Sequence, residues 1–317
     1  MSSEVGAQFP SEAGSRGEFI RQHSHFREWV SNEPGAKYPA ETGRYHLYVS
    51  LACPWASRAV IVRKLKGLED AISMSVVDPI RDDNGWAFRE GPGFERDPLG
   101  DHEYLSEIYL ESDPQFRGRV TVPVLFDKQA RKIVNNESSE IIRMLNSEFN
   151  EFGDASIDLY PEELRGEIDE VNGLVYPNIN NGVYRCGFAA RQEAYEEAFW
   201  QLFSALDQVE QRLAGSRYLV GDTPTEADWR LFTTLVRFDP VYVGHFKCNL
   251  RRLIDYPNLW GYTRDLYQQP GIAETVNFDH IKRHYYMTHR QINPTGVVPA
   301  GPELNFEAPH NRAEISS

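Results

Sequence analysis

One junction constrains this chain more than any other stretch. His46-Leu47-Tyr48-Val49 is rich in strand formers, and good helix formers run from Trp55 through Lys66 to Gly67. Cys53 stands where the one gives way to the other, followed by Pro54 in the first-turn position, where a missing N–H costs nothing. A cysteine there lies beside unpaired backbone N–H groups and the positive end of the helix dipole. Both favour the thiolate, the nucleophilic form of the side chain. An inert cysteine at a strand–helix corner is the competing reading of this stretch taken alone.

A strand, a Cys-Pro turn and a helix begin the redox sites of thioredoxin-like folds, where a resolving cysteine falls three residues on. Here that position is Ala56. A mixed disulfide on Cys53 therefore has no resolving neighbour in the motif and needs a second thiol from solution. A small abundant thiol is implied as co-substrate, with glutathione the obvious candidate.

The 317 residues allow two domains, and a net charge of −14 argues against a nucleic-acid or anionic-membrane surface. No apolar run approaches the roughly 20 residues that span a bilayer. Cys53, Cys186 and Cys248 are too few and too scattered for a disulfide framework or a zinc site, so no metal is expected. With no basic and apolar leader at the N-terminus, a cytoplasmic location is expected.

Along the chain, residues 1–17 are mostly small or polar and contain glycine, and Phe19, Ile20, Phe26 and Trp29 are placed to pack on the body. A second strand is expected over 72–77. Residues 78–114 form a Gly-, Pro- and Asp-rich stretch, longer than an ordinary connection and hence a functional loop, with Trp86 either packing it or offering an indole N–H to a ligand. Residues 120–127 read as a strand interrupted by Pro123. In thioredoxin-like folds a cis-proline faces the active cysteine and leaves the preceding backbone for a peptide-like ligand, and Val122-Pro123 is read as that bond. A short strand at 132–134 precedes a helix opened by Asn136-Glu137-Ser138. Glu137 and Ser138 are either plain caps or a seat for an ammonium and a carboxylate, the two charges on the γ-glutamyl end of glutathione. Residues 149–160 read as a linker. Helices follow over 189–213, 256–267 and 281–290, with Thr225 and Asp228 as a capping device without a catalytic role. Residues 293–302 form an extended, proline-punctuated tail.

The Tyr45–Ala56 stretch resembles the signature of the glutathionyl-hydroquinone reductases, the xi class of the glutathione transferase superfamily. So do Asn84-Gly85-Trp86, Arg119-Val120-Thr121-Val122-Pro123, Asn136-Glu137-Ser138, Asn180-Asn181-Gly182-Val183-Tyr184, Arg237-Phe238-Asp239-Pro240, His284-Tyr285-Tyr286 and Asn293-Pro294-Thr295-Gly296. The resemblance implies the glutathione transferase fold: an α/β thioredoxin-like N-terminal domain plus an all-α C-terminal domain. The expected boundaries are an N-terminal extension over 1–42, a glutathione-binding domain over 43–148, an all-α substrate-binding and dimerisation domain over 160–290, and a C-terminal extension over 291–317. Ser57 stands where histidine is frequent in the group, and Arg185-Cys186 where Lys-Ala is frequent; both bear on substrate preference.

The resemblance also implies a reaction. Cys53 attacks the sulfur of a glutathionyl-hydroquinone, the hydroquinone leaves with its ring carbon protonated, and a second glutathione frees the enzyme as oxidised glutathione forms. Tyr184 and Tyr285 match the family positions that serve the hydroquinone, with Tyr286 beside them. Trp86, Arg119, Val122, Pro123, Glu137 and Ser138 are the implied glutathione contacts. A homodimer is expected by the same resemblance. The alternatives are an omega-class-like thiol transferase or dehydroascorbate reductase, and a non-enzymatic glutathione- or ligand-binding protein.

Overall fold

The structure is a computed structural model, and it describes residues 12–315. The chain divides into two compact units. One holds Gln22–Asp158 together with Thr275–Arg290; the other holds residues 12–21, Leu159–Glu274 and 291–315.

The first unit is built on a four-stranded mixed sheet, in the order β2-β1-β3-β4. Strand β1 (Tyr45–Val49) is central, buried along its whole length, and pairs parallel with β2 (Ser73–Val76) and antiparallel with β3 (Val124–Asp127). A strand covered on both faces reads as a continuous apolar run, which is why Tyr45 to Val49 shows little polar alternation. Hairpin partner β4 (Lys132–Asn135) closes the far edge. Helix α1 (Pro54–Leu65) returns the chain from β1 to β2, and packs with α3 (Ser138–Ser147).

Three details depart from the sequence reading. The strand expected from residue 120 begins at Val124, because Pro123 has no N–H to give to a ladder. The stretch 78–114 is not all loop: α2 (Leu105–Ser112) lies in it, its entry capped by Glu107, whose Oε1 accepts the Tyr104 N–H at 3.1 Å. Residues 278–288, expected in the helical domain, form α9 (Phe278–Thr288) within the sheet unit. His280 and His284 ring nitrogens bond the carbonyls of Pro92 and Pro79 at 2.8 and 2.7 Å, tying α9 to the long connection after β2. Residues 22–42 also fold here: Phe26 exchanges backbone and side-chain hydrogen bonds with Asn136. The stretch 149–160 is irregular and is fastened by the Lys66 ammonium, 2.7 Å from both Asn150 Oδ1 and the Ile157 carbonyl.

The second unit is helical: α4 (Arg165–Val175), α5 (Gly182–Gly187), α6 (Gln192–Gly215), α7 (Glu226–Leu235) and α8 (Pro257–Tyr267). Helix α7 is buried at every position. Asp228 at its start accepts from the Thr225 N–H and hydroxyl, from the Leu219 N–H and from the Tyr262 hydroxyl. Burial raises its carboxyl pKa despite these four bonds. Asp228 is therefore the cap the sequence indicated, and in addition a tie to α8. The C-terminal segment contributes Arg312, whose guanidinium bonds the carbonyls of Leu213 at 2.8 Å and Arg217 at 3.0 Å. A buried cation thus satisfies the Leu213 carbonyl, which the last turn of α6 leaves without a helical partner, and the Arg217 carbonyl beyond the helix end.

Candidate active site

Cys53 is the N-cap of α1, in extended conformation, with Pro54 as the first helical residue. The side chain is 9% exposed, and its thiol donates to the Val122 carbonyl at 3.6 Å. Val122-Pro123 is a cis peptide bond, and the β1–β3 ladder ends at Tyr48–Val124, just beyond it. Ser57, one turn along, bonds the Cys53 carbonyl through its hydroxyl at 3.1 Å. The substitution in the family pattern at this position thus touches the Cys53 backbone. Ala56, buried, occupies the place of a resolving cysteine.

The N-terminus of α3 gathers the second group. Glu137 is its N-cap: Oε1 accepts from the Ser139 N–H at 3.1 Å and the Ser139 hydroxyl at 2.9 Å, and Oε2 from the Ser24 hydroxyl at 2.9 Å. Burial alone would raise its carboxyl pKa. The Ser139 and Ser24 bonds and the nearby Arg58 charge outweigh burial and hold it below the usual carboxylate range. A carboxylate has about four acceptor positions, so three bonds leave Glu137 able to accept one more donor. Ser138 follows as the first residue of the helix, buried, its Oγ 3.3 Å from an Arg58 guanidinium nitrogen.

Trp86, 4% exposed, follows a turn that only glycine enters without strain: Gly85 has φ +103° and exchanges backbone hydrogen bonds with Asp82. The indole stacks on His284, centroids 5.0 Å apart and planes 16° apart, with the Arg81 guanidinium 5.3 Å from its centroid. Tyr285 is next along α9, buried, its ring 5.2 Å from His284 and 5.6 Å from His289. Tyr286 is half-buried, and burial raises its phenol pKa. Arg119, also half-buried, sets a positive charge near the Tyr109 phenol, which donates to the Thr121 carbonyl at 2.8 Å.

Tyr184 belongs to the helical unit and is positioned there by α5. The turn before it, Tyr176–Asn180, is π-helical and contains Pro177; Asn180 then donates to the Arg230 carbonyl and to Thr234, pinning the turn to α7. The Tyr184 ring meets Phe188, Tyr242 and Phe246, and the Arg21 guanidinium lies 4.8 Å from its centroid, held by Asn181 Oδ1 at 2.8 Å.

Within the sheet unit the structure thus brings Cys53 to Val122, gathers Glu137 and Ser138, and sets Trp86 beside Tyr285 through His284. Sequence reasoning missed Arg58 and Ser24. Arg58 carried a signal in retrospect, as a charge in an otherwise small and apolar face of α1; Ser24 carried none. Among the described residues no group of three or more His, Cys, Asp or Glu is arranged to hold a metal, and no helix is long and apolar enough to cross a membrane.

This is the architecture of a glutathione transferase, and comparison with known proteins agrees. The pattern of the glutathione S-transferase N-terminal domain matches residues 52–148, and that of the C-terminal domain residues 192–265. The chain is 55% identical over 304 residues to the glutathionyl-hydroquinone reductase YqjG of Escherichia coli (strain K12), covering 93% of this chain and 92% of that one. The glutathione-bound structure of YqjG, described as a glutathione transferase homolog, matches with a TM-score of 0.89 at 54% identity, over 91% of this chain and 96% of that one. The glutathione S-transferase Xi of Phanerochaete chrysosporium matches with a TM-score of 0.92 at 50% identity, over 97% and 100% of the two chains. The chain therefore belongs to the glutathione transferase superfamily and, within it, to the xi class that includes the glutathionyl-hydroquinone reductases.

Proposed function

We propose that this protein is a glutathione-dependent reductase that removes glutathione from S-glutathionyl-hydroquinones. The observation that carries the proposal is a single thiol at the N-cap of α1, against the Val122 carbonyl, with alanine where a resolving cysteine would stand. Such a thiol can accept a glutathionyl sulfur and must be released by another thiol. Cys53, as thiolate, attacks the sulfur of the conjugate. The S–C bond breaks, its electron pair goes to the ring, and the ring carbon takes a proton, leaving hydroquinone and a Cys53–glutathione disulfide. A second glutathione attacks that disulfide, giving oxidised glutathione and the free thiol.

Glutathione is held by its γ-glutamyl end at Glu137 and Ser138 and by its cysteinyl backbone at Val122 beside Pro123, with Trp86 and Arg119 toward its glycyl side. Tyr184 and Tyr285, with Tyr286 adjacent, serve the hydroquinone: carbon is a poor leaving group, and its departure needs a proton and polarised ring oxygens, both within reach of phenol chemistry. The protein acts as a cytoplasmic homodimer without a metal. Steady-state turnover of a glutathionyl-hydroquinone, compared with that of dehydroascorbate, tests the reading. Efficient use of the conjugate supports it. Preference for dehydroascorbate would make the protein an omega-class-like reductase, and glutathione binding with neither turnover would make it a binding protein.

A further inference from the structure

Arg58 is 1% exposed, a guanidinium inside the sheet unit at the middle of α1. Its carbon Cζ lies 4.4 Å from the centroid of the Trp55 ring, a contact that covers one face of the cation. One of its nitrogens is 3.3 Å from Ser138 Oγ, and its charge acts on Glu137. Burying a charge is costly unless partners compensate for it, and truncating one member of such a group leaves the others exposed to that cost. The placement of this cation beside the start of α3 has a specific chemical effect on Ser138.

A serine hydroxyl has one proton to give and two lone pairs. Arg58 has protons only. Its bond to Ser138 therefore fills an acceptor position on Oγ and leaves the hydroxyl proton as the group Ser138 offers to a ligand. A donor hydroxyl, the adjoining α3 N-terminus and a cation behind them suit a carboxylate. Glu137, with an acceptor position remaining, suits an ammonium. The arrangement is a host ion pair whose two charges are opposite to those of an amino-acid head group.

We propose that Arg58 is a positioning residue that fixes Ser138 as a donor toward the α-carboxylate of the γ-glutamyl group. The inference rests on the placement of that group given under the proposed function. It makes Arg58 selective for one functional group of the ligand, which a purely structural arginine is not.

The test is calorimetric binding of glutathione and of γ-aminobutyryl-cysteinyl-glycine, which lacks the α-carboxylate, to wild type, Arg58→Met, Arg58→Lys and Ser138→Ala. Wild type should bind glutathione at least about tenfold more tightly than the analogue, the loss of a charge-assisted hydrogen bond. Arg58→Met and Ser138→Ala should each bring that ratio toward one by weakening glutathione alone, and Arg58→Lys should keep part of it. If Arg58→Met does not fold, Arg58→Lys carries the test, with Ser138→Ala as the reference for full loss. A ratio left at the wild-type value in the folded Arg58 variants, including equal weakening of both ligands, while Ser138→Ala lowers it, would overturn the role of Arg58 and leave the γ-glutamyl placement standing; a ratio unchanged in Ser138→Ala as well would overturn both. A wild type that binds both ligands equally would overturn the placement itself, and the inference with it.

Discussion

Replacing Glu137 separates its two roles, cap and ligand partner. As a cap it accepts the Ser139 N–H and ties Ser24 to α3. As a ligand partner it would accept the ammonium of glutathione. Glu137→Ala removes both. Loss of an N-cap acceptor costs about 1 kcal/mol of stability. Loss of a charged partner to a largely desolvated ammonium costs about 1.5–3 kcal/mol of binding, which is about 10- to 150-fold in Kd. Glu137→Gln keeps one oxygen for the cap but removes the charge and the second acceptor, so it should lose less stability than Glu137→Ala while much of the affinity is still lost. The pH dependence has a defined sign. Because the folded-state carboxyl pKa lies below its ordinary 4.5, the stabilisation tied to the charged form is complete above that value and is lost as pH falls through the folded pKa. Urea denaturation measures the first quantity and titration calorimetry with glutathione the second. Unchanged glutathione affinity in both variants would refute the ligand role and leave Glu137 a helix cap.

Three further outcomes are expected. Tyr184→Phe and Tyr285→Phe should slow turnover of glutathionyl-hydroquinone by roughly 10²–10⁴-fold, or less if they share the work, and leave reduction of a small glutathione mixed disulfide near wild type; equal losses on both substrates would assign them to glutathione binding or the fold. Burial lowers the pKa of His46 to about 4 from 6.5. Below 6.5 the unfolded chain therefore binds a proton the folded one refuses, and stability falls as pH drops toward 4, by up to about 3 kcal/mol; His46→Gln should flatten this part of the urea-stability profile, and an unaltered slope would remove His46 as its cause. Cys186→Ser and Cys248→Ser should keep most of the reductase activity in steady-state assays, both residues being buried in the helical unit.

The strand–Cys-Pro–helix junction was legible because each part is local: strand formers, a proline tolerated at the first helical position, and a glycine after the helix. The Thr225–Asp228 cap was legible for the same reason, although its bonds to Leu219 and Tyr262 were not. Helix α2 was hidden because it is eight residues long, lies amid turn residues, and is entered through Glu107 without a Ser, Thr, Asp or Asn ahead of it. Arg58 and Arg312 were missed for a different reason. An arginine in a helix or tail reads as solvated, and only contacts 80 and 99 residues away, to Ser138 and Leu213, reveal each as buried. The placement of α9 in the sheet unit was equally invisible, since the helical period says nothing of which body His280 and His284 bond.

The proposed mechanism requires Cys53 to carry glutathione as a covalent intermediate. Intact-protein mass spectrometry after brief mixing with a glutathionyl-hydroquinone, before any free glutathione is added, tests it most directly. One glutathione is expected per chain as a disulfide, mapped to Cys53 by peptide digestion and released by added glutathione, with none on Cys53→Ser and no hydroquinone formed by that variant. Hydroquinone release by Cys53→Ser at the wild-type rate, or glutathione mapped to Cys186 or Cys248 instead, would contradict it.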